Sequence, residues 1–391
     1  MPIKNFFYTV IITIILSVLA LPEISQAIPA FARKYKISCT TCHTAFPQLK
    51  QYGEEFAGNG FIIKEKESER DYVTAGDELL WLNKDFPVAV RLDMFATHDQ
   101  NARVENDLQI PWNIKLLSGG ALYKNIGYYF YFFLYERGKV AGIEDAYIHF
   151  DNIFESGLDI MVGQFQTSDP LMKRELRLTY EDYEVYKTRV GDSRINLTYD
   201  RGVMLVYPLE KTNTEVFAMV VNGNGKDVPG NRKLDQDNYK NVALRVKQGF
   251  TDFLSIGGFY YYGKEKSPDL MPTGTNQVIY YGPDVVFGSR AIKLTAQYLY
   301  RKDTNPMFLQ TAGDVKTHGY VAELIFAPEI DRSRYHFTGL YNFIDSKGYK
   351  YHTATLGYTY QLARNLRLLT EYTRDLENKS NRVVLGVVGA F

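Results

Sequence analysis

The chain of 391 residues is poor in several things. It has two cysteines, two tryptophans, and no net charge, with 45 Lys+Arg against 45 Asp+Glu. No apolar run after residue 22 is long enough to cross a bilayer as a helix. Each shortage excludes something. Two cysteines cannot close a four-thiolate zinc site. A neutral balance without a basic block removes the electrostatic footprint of a nucleic-acid binder. The missing helical spans exclude a helical multi-span membrane protein. A Gly-rich phosphate loop, an H-E-x-x-H pair and a nucleophile elbow are all absent, so covalent hydrolytic catalysis has no support. What is plentiful is aromatic, with 31 Tyr and 24 Phe. At 45% apolar and 23% charged residues, the chain lies outside the disordered and collagen-like classes.

The N-terminus reads as an export signal. Lys4 supplies a positive start, Phe6 to Leu21 an apolar stretch, and Ser25-Gln26-Ala27 a small-x-small cleavage pattern. An uncleaved anchor is the alternative. With cleavage, the mature chain begins near Ile28, outside the cytoplasm.

Both cysteines fall in Cys39-Thr40-Thr41-Cys42-His43. This is the attachment pattern of a c-type haem (heme c), in which two thiols take the vinyl groups and the following histidine ligates the iron. A redox dithiol would want a βαβ context, and a plain disulfide would have no use for His43. Pro47 is expected to open a short helix with Leu49, Tyr52 and Phe56 on one face, ended by Gly58 and Gly60. No Met or His occurs between His43 and Met94, so the segment lacks its own distal ligand. About fifty residues bury too little core to stand alone, and this piece must lean on something else.

From Phe86 onward the pattern alternates with period two. Val88, Val90, Leu92 and Met94 alternate with Arg91 and Asp93. Sixteen such segments can be marked: 86–97, 113–123, 127–135, 143–150, 158–166, 194–207, 215–222, 241–249, 253–262, 278–287, 290–300, 318–326, 335–343, 351–360, 366–374 and 382–391. Long polar connections interleave with short ones, and both ends of the run lie on the short-turn side. An even strand count, alternating connections and abundant Tyr for interfacial girdles together predict an all-β fold, a 16-stranded transmembrane antiparallel β-barrel of the outer membrane. The chain then divides into a signal peptide (1–27), a haem-binding segment (28–80) and the barrel (81–391).

Ala27-x-Pro29-x-Phe31-Ala32-Arg33, followed after five residues by the haem motif, resembles the N-terminal signature of the fused outer-membrane cytochrome–porins of iron-oxidising bacteria. Gly163-Gln164-Phe165 and Asn196-Leu197-Thr198-Tyr199-Asp200-Arg201-Gly202 are similar to segments of that porin and of phosphate-selective-type porins. The resemblance is specific over 27–47 and diffuse over the barrel. It implies one-electron oxidation of extracellular Fe(II), with electrons passed inward to a periplasmic c-type cytochrome or similar carrier. A porin with a structural haem plug and electron export to an external acceptor are the alternatives.

A sixteen-stranded barrel leaves an aqueous lumen, in which the small α-helical haem segment can complete its packing as a plug. If the apolar parity faces lipid, Met161 and Met219 point inward near mid-strand. His149, Met204 and His336 also point inward, nearer the periplasmic end, and Met94 faces lipid. These five inward residues are the candidate distal ligands, Met161 first, and an open sixth site is the alternative. The charged stretch from Lys173 to Arg194 reads as a solvated external loop. Folded into the mouth instead, it would offer Glu175, Glu181, Asp182 and Glu184 to attract Fe(II).

Overall fold

The structure, a computed structural model, describes residues 30–44, 46–67, 72–73, 76–77, 79–83, 86–168, 170–226, 233–267, 274–310 and 313–391. The signal-peptide reading lies outside these residues. Three short helices come first: α1 Ala30–Tyr35, α2 Cys39–Cys42 and α3 Gln51–Gly58. Two-residue strands β1 (Tyr72–Val73) and β2 (Leu82–Asn83) pair antiparallel.

Sixteen strands then close into one antiparallel barrel. They are β3 Val88–Asp99, β4 Asn106–Tyr123, β5 Ile126–Glu136, β6 Gly142–Ile153, β7 Leu158–Gln166, β8 Tyr199–Leu209, β9 Thr214–Val221 and β10 Asn241–Thr251. The rest are β11 Leu254–Lys266, β12 Thr275–Gly288, β13 Ile292–Asp303, β14 Val315–Phe326, β15 Tyr335–Ser346, β16 Tyr349–Ala363, β17 Leu366–Asp375 and β18 Ser380–Ala390. Each strand pairs with its neighbour in sequence. β18 closes on β3 from Arg382 opposite Asp99 to Ala390 opposite Arg91, so no strand edge is left open to lipid.

Alternation explains the wall. On β3, Ala89, Arg91, Asp93 and Phe95 are buried toward the lumen, while Val88, Val90, Leu92 and Met94 occupy the opposite parity. Met94 is therefore on the lipid side, as its parity predicts. Outward parities elsewhere carry Leu244, Tyr260, Tyr281, Tyr320, Phe337 and Tyr372, the apolar and aromatic surface a bilayer requires.

Two sequence expectations are corrected. The segment expected to be strand from 194 pairs only from Tyr199. Before that, Arg301 Nη1 on β13 donates to the Ile195 carbonyl at 2.9 Å, and Leu197 N donates to Tyr186 O at 2.9 Å, so this backbone belongs to the preceding connection. The helix after the haem motif starts at Gln51 rather than at Pro47, and its buried residues are Gly53 and Phe56, with Tyr52 left 42% exposed.

The lumen is occupied from both ends. From the short-turn end, the N-terminal segment lays Gly60 against Gly127 of β5, so tightly that a Cβ on Gly127 would sit 2.2 Å from the Gly60 carbonyl oxygen. Phe61 stacks on Tyr129 at 4.7 Å and on Phe31 at 5.1 Å. From the other end comes the connection 167–198. It is not a solvated external loop. Leu178, Tyr183, Tyr186, Ile195 and Leu197 are almost fully buried within it, and its short helix α4 (Glu184–Lys187) packs against β14 and β15.

Candidate functional site

The haem-type motif sits on one helical turn. Ser38 caps α2 by accepting from Thr40 N, and His43 N donates to Cys39 O at 2.9 Å. Cys39 and Cys42 are three residues apart on that turn, which puts both thiols on one face. Both are free, and burial raises both thiols above their ordinary value, so they are protonated at neutral pH. Gly53 of α3 presses on this turn. A Cβ there would lie 2.3 Å from the Cys42 carbonyl oxygen, so only glycine lets α3 approach so closely.

His43 is oriented by the backbone. Its Nδ1 is 3.0 Å from the Pro47 carbonyl oxygen. A carbonyl only accepts, so Nδ1 carries the proton and Nε2 presents its lone pair. Burial lowers the imidazole to about 4, which keeps it neutral at physiological pH. Two thiols on one face, with a neutral imidazole whose second nitrogen is held by a carbonyl, is a donor set that fits covalent haem attachment. Phe46 packs edge-on to the ring at 5.1 Å. The motif hangs between the two lumen inserts and the short-turn rim: Gln48 Nε2 donates to Leu176 O at 2.8 Å, and Lys50 reaches Asp331 at 3.3 Å.

The five candidate distal residues all face the lumen but do not form one group. His149, Met161, Met204 and Met219 stand directly opposite one another in successive strand pairs, a row across β6, β7, β8 and β9. Met204 and Met219 are buried in the apolar cluster, and Met161 packs at its margin. His336 is on β15, fully buried, with neither ring nitrogen hydrogen-bonded. Sequence reasoning took Pro47 as a helix opener and missed that its carbonyl orients His43. A backbone carbonyl carries no residue-type signal, because it acts through chain placement alone.

The four acids of the 167–198 connection are all engaged. Glu175 accepts from Lys115 of β4 at 3.0 Å and from the Tyr199 hydroxyl at 3.1 Å. Asp182 takes Arg174 in a two-point pair, with Arg174 Nε 3.1 Å from Oδ1. Glu181 is bound by Arg382 of β18, Tyr351 and Thr353, and Glu184 by Lys187 at 2.9 Å. Burial would raise the Glu175 carboxyl, but Lys115, Arg177, Arg174 and Arg91 together hold it well below the usual carboxylate range. Asp182 is held down in the same way by Arg174 and Arg177 against the cost of burial. Glu175 and Glu181 lock the connection to the wall, Asp182 and Glu184 pair within it, and the four do not form a free acidic funnel for Fe(II). Further contacts run to β10 (Arg245 to Pro170 O, 2.5 Å), β13 (Tyr186 to Gln297, 2.7 Å), β14 (Tyr183 to Glu323, 2.7 Å) and β15 (Asn342 to Asp182 O, 2.9 Å). The connection therefore touches wall strands on opposite sides and crosses the lumen as a partition.

No protein-family model matches the chain, and no curated protein matches it in sequence. Solved structures do match in fold. An anion-selective porin from Comamonas acidovorans superposes with a TM-score of 0.57 at 12% identity over 78% of this chain and 99% of its own. The outer membrane channel DcaP of Acinetobacter baumannii gives 0.54 at 15% identity, covering 78% and 97%. Salmonella typhi OmpF, in complex with daunomycin, gives 0.55 at 11% identity, again over 78% and 97%. The chain has the fold of outer-membrane porins.

Proposed function

We propose that this porin-like barrel resides in the outer membrane, carries one covalent c-type haem on Cys39, Cys42 and His43, and serves as a one-electron conduit across that membrane. Extracellular Fe(II) is the donor in this reading, and a periplasmic c-type cytochrome or similar carrier is the acceptor. The observation that carries it is the attachment turn itself, packed against the lumen insert of a closed barrel with His43 Nδ1 tied to the Pro47 carbonyl. Cys39 and Cys42 would hold the group as thioethers, His43 would ligate its iron, and an inward-facing side chain such as Met161 or His336 would be the candidate for a second ligand. When bound, the haem supplies a centre that accepts and releases single electrons. The chain's own part is to hold that centre within the membrane's thickness, to keep the imidazole neutral and oriented, and to exclude bulk water with the 167–198 partition.

The test is rapid mixing of the oxidised, detergent-extracted protein with Fe(II), read as reduced c-type haem bands. Reduction on a turnover-relevant timescale supports the reading. A haem that dithionite reduces and Fe(II) does not would remove Fe(II) as donor.

A second reading, a solute porin whose haem segment is structural, is supported by the fold likeness to porins. In that reading the 167–198 partition would narrow the lumen and set which solutes pass. Planar-bilayer conductance of the folded protein separates the two. Porin-scale conductance supports the transport reading, and a closed barrel supports the conduit.

A further inference from the structure

We infer that His149, Asp151 and Asp159 form a divalent transition-metal site at the short-turn rim of the barrel, apart from the haem motif. β6 and β7 pair in register at His149–Met161 and Phe150–Ile160, and then the register slips to Ile153–Leu158. His149 and Asp151 share one parity of β6, and Asp159 has the inward parity of Met161, the residue opposite His149. The three therefore meet on one face just before the slip, with one ligand atom from each residue within 4.8 Å of the others. Metal–ligand bonds of about 2.0–2.2 Å place donors up to about 4.4 Å apart, so small side-chain movements suffice.

Three further observations point to a cation. His149 is 2% exposed, yet neither ring nitrogen makes a hydrogen bond to a side chain or backbone group within 3.5 Å among the described residues, the Gly58 backbone being a polar neighbour of the ring. A buried imidazole in that state wants a ligand. Asp159 is oriented from outside the cluster: Asn152 N donates to its Oδ1 at 2.8 Å, while Asn152 Oδ1 accepts from Gly157 N at 2.8 Å. Asp151 faces the half-exposed ammonium of Lys64 at 2.9 Å. Two carboxylates against one flexible ammonium leave a net negative charge that a divalent ion would balance, and Lys64 can swing to solvent to admit it. One imidazole nitrogen and two carboxylate oxygens suit Mn(II), Fe(II), Co(II) or Zn(II) rather than a soft monovalent ion. The assignment makes His149 a metal ligand and removes it from the candidate haem ligands.

Co(II) is the probe, titrated into the full-length folded barrel and read by its ligand-field absorption and by calorimetry. The expected result is one Co(II) per chain, displaced by Zn(II). Binding survives in Cys39→Ser/Cys42→Ser and in His336→Ala, is lost in His149→Ala, and weakens at least tenfold in the isosteric Asp159→Asn. The heat-modifiable gel shift of each variant reports that the barrel has folded. Unchanged Co(II) stoichiometry and affinity in folded His149→Ala would overturn the site, as would absence of binding to the wild-type chain. A haem absorption spectrum altered by His149→Ala would also overturn it, by returning that residue to the haem.

Discussion

The N-terminal segment and the 167–198 connection share one lumen, yet they hold to its wall by different forces. The N-terminal segment is seated by rings and by close backbone approach: Phe31, Phe56 and Phe61 pack together, Phe61 stacks on Tyr129, and Gly60 lies on Gly127. Its ion pairs to the barrel, Lys50–Asp331, Glu54–Lys293 and Lys64–Asp151, all involve side chains with substantial exposure and add little. The 167–198 connection is held by buried charges, Glu175 on Lys115 and Arg301 on the carbonyls of Thr188 and Ile195. Ring packing tolerates small shifts, whereas a buried charge needs its partner within hydrogen-bond reach.

The largest expected effect isolates the N-terminal segment from the barrel. Cys39→Ser/Cys42→Ser should abolish covalent haem entirely, read by haem staining of denaturing gels, while the barrel keeps its heat-modifiable migration and strand content. Loss of the folded barrel in that variant would show that the two regions do not fold separately. Next comes the partition. Lys115→Met takes the ammonium away from buried Glu175, and thermal unfolding in detergent should show a loss of about 3–5 kcal/mol. Adding Glu175→Gln should recover part of that loss. A Lys115→Met barrel as stable as wild type would refute the account of the partition as charge-locked. Phe61→Ala should loosen the N-terminal segment by about 3 kcal/mol, within the usual range for a buried phenyl ring. The measurement is hydrogen exchange over residues 30–67, and exchange over the partition should stay unchanged.

The barrel was legible because its signal is local. Period-two alternation is written within each strand, and with lipid on one face it fixes the parity of every residue. That is why His149, Met161, Met204, Met219 and His336 were expected inside and Met94 outside, as the structure has them. The partition was not legible. A run such as Lys173-Arg174-Glu175 has the same composition whether it is solvated or paired with a wall charge, and its partners lie far away in sequence, as Arg382 does from Glu181. A signal did exist on the strands: Arg91, Asp93, Lys115, Arg245, Asp284 and Arg301 stand at inward positions and are nearly fully buried. So many buried charges on the lumen face require polar partners within the lumen. The metal cluster was half legible. His149-x-Asp151 places two ligands on one face of β6 and Asp159 has the inward parity of Met161, but the register that sets these residues side by side is written in neither strand alone.

The smallest expected effect sharpens the contrast by pH. Phenyl rings do not titrate, so the Phe31–Phe56–Phe61 seat has no proton-linked term of its own. Glu175 and Asp182 do have one. Both carboxyls are held below their ordinary values of 4.5 and 3.8, because neighbouring Lys and Arg charges outweigh burial. A depressed folded value means that the stabilisation is fully present above the unfolded value and is lost only as the pH falls through the folded one. Amide exchange at residues 174–177, taken relative to the intrinsic exchange rate at each pH, should therefore be flat from neutral pH down to about pH 4 and should rise only in stronger acid. Over the same interval, exchange around Phe61 should not follow it. Exchange at 174–177 that rises between neutral pH and about pH 5 would mean that these carboxyls titrate at ordinary or raised values. The partition would then not be locked by Lys115 and Arg174, and the distinction between the two inserts would fail at its charged end.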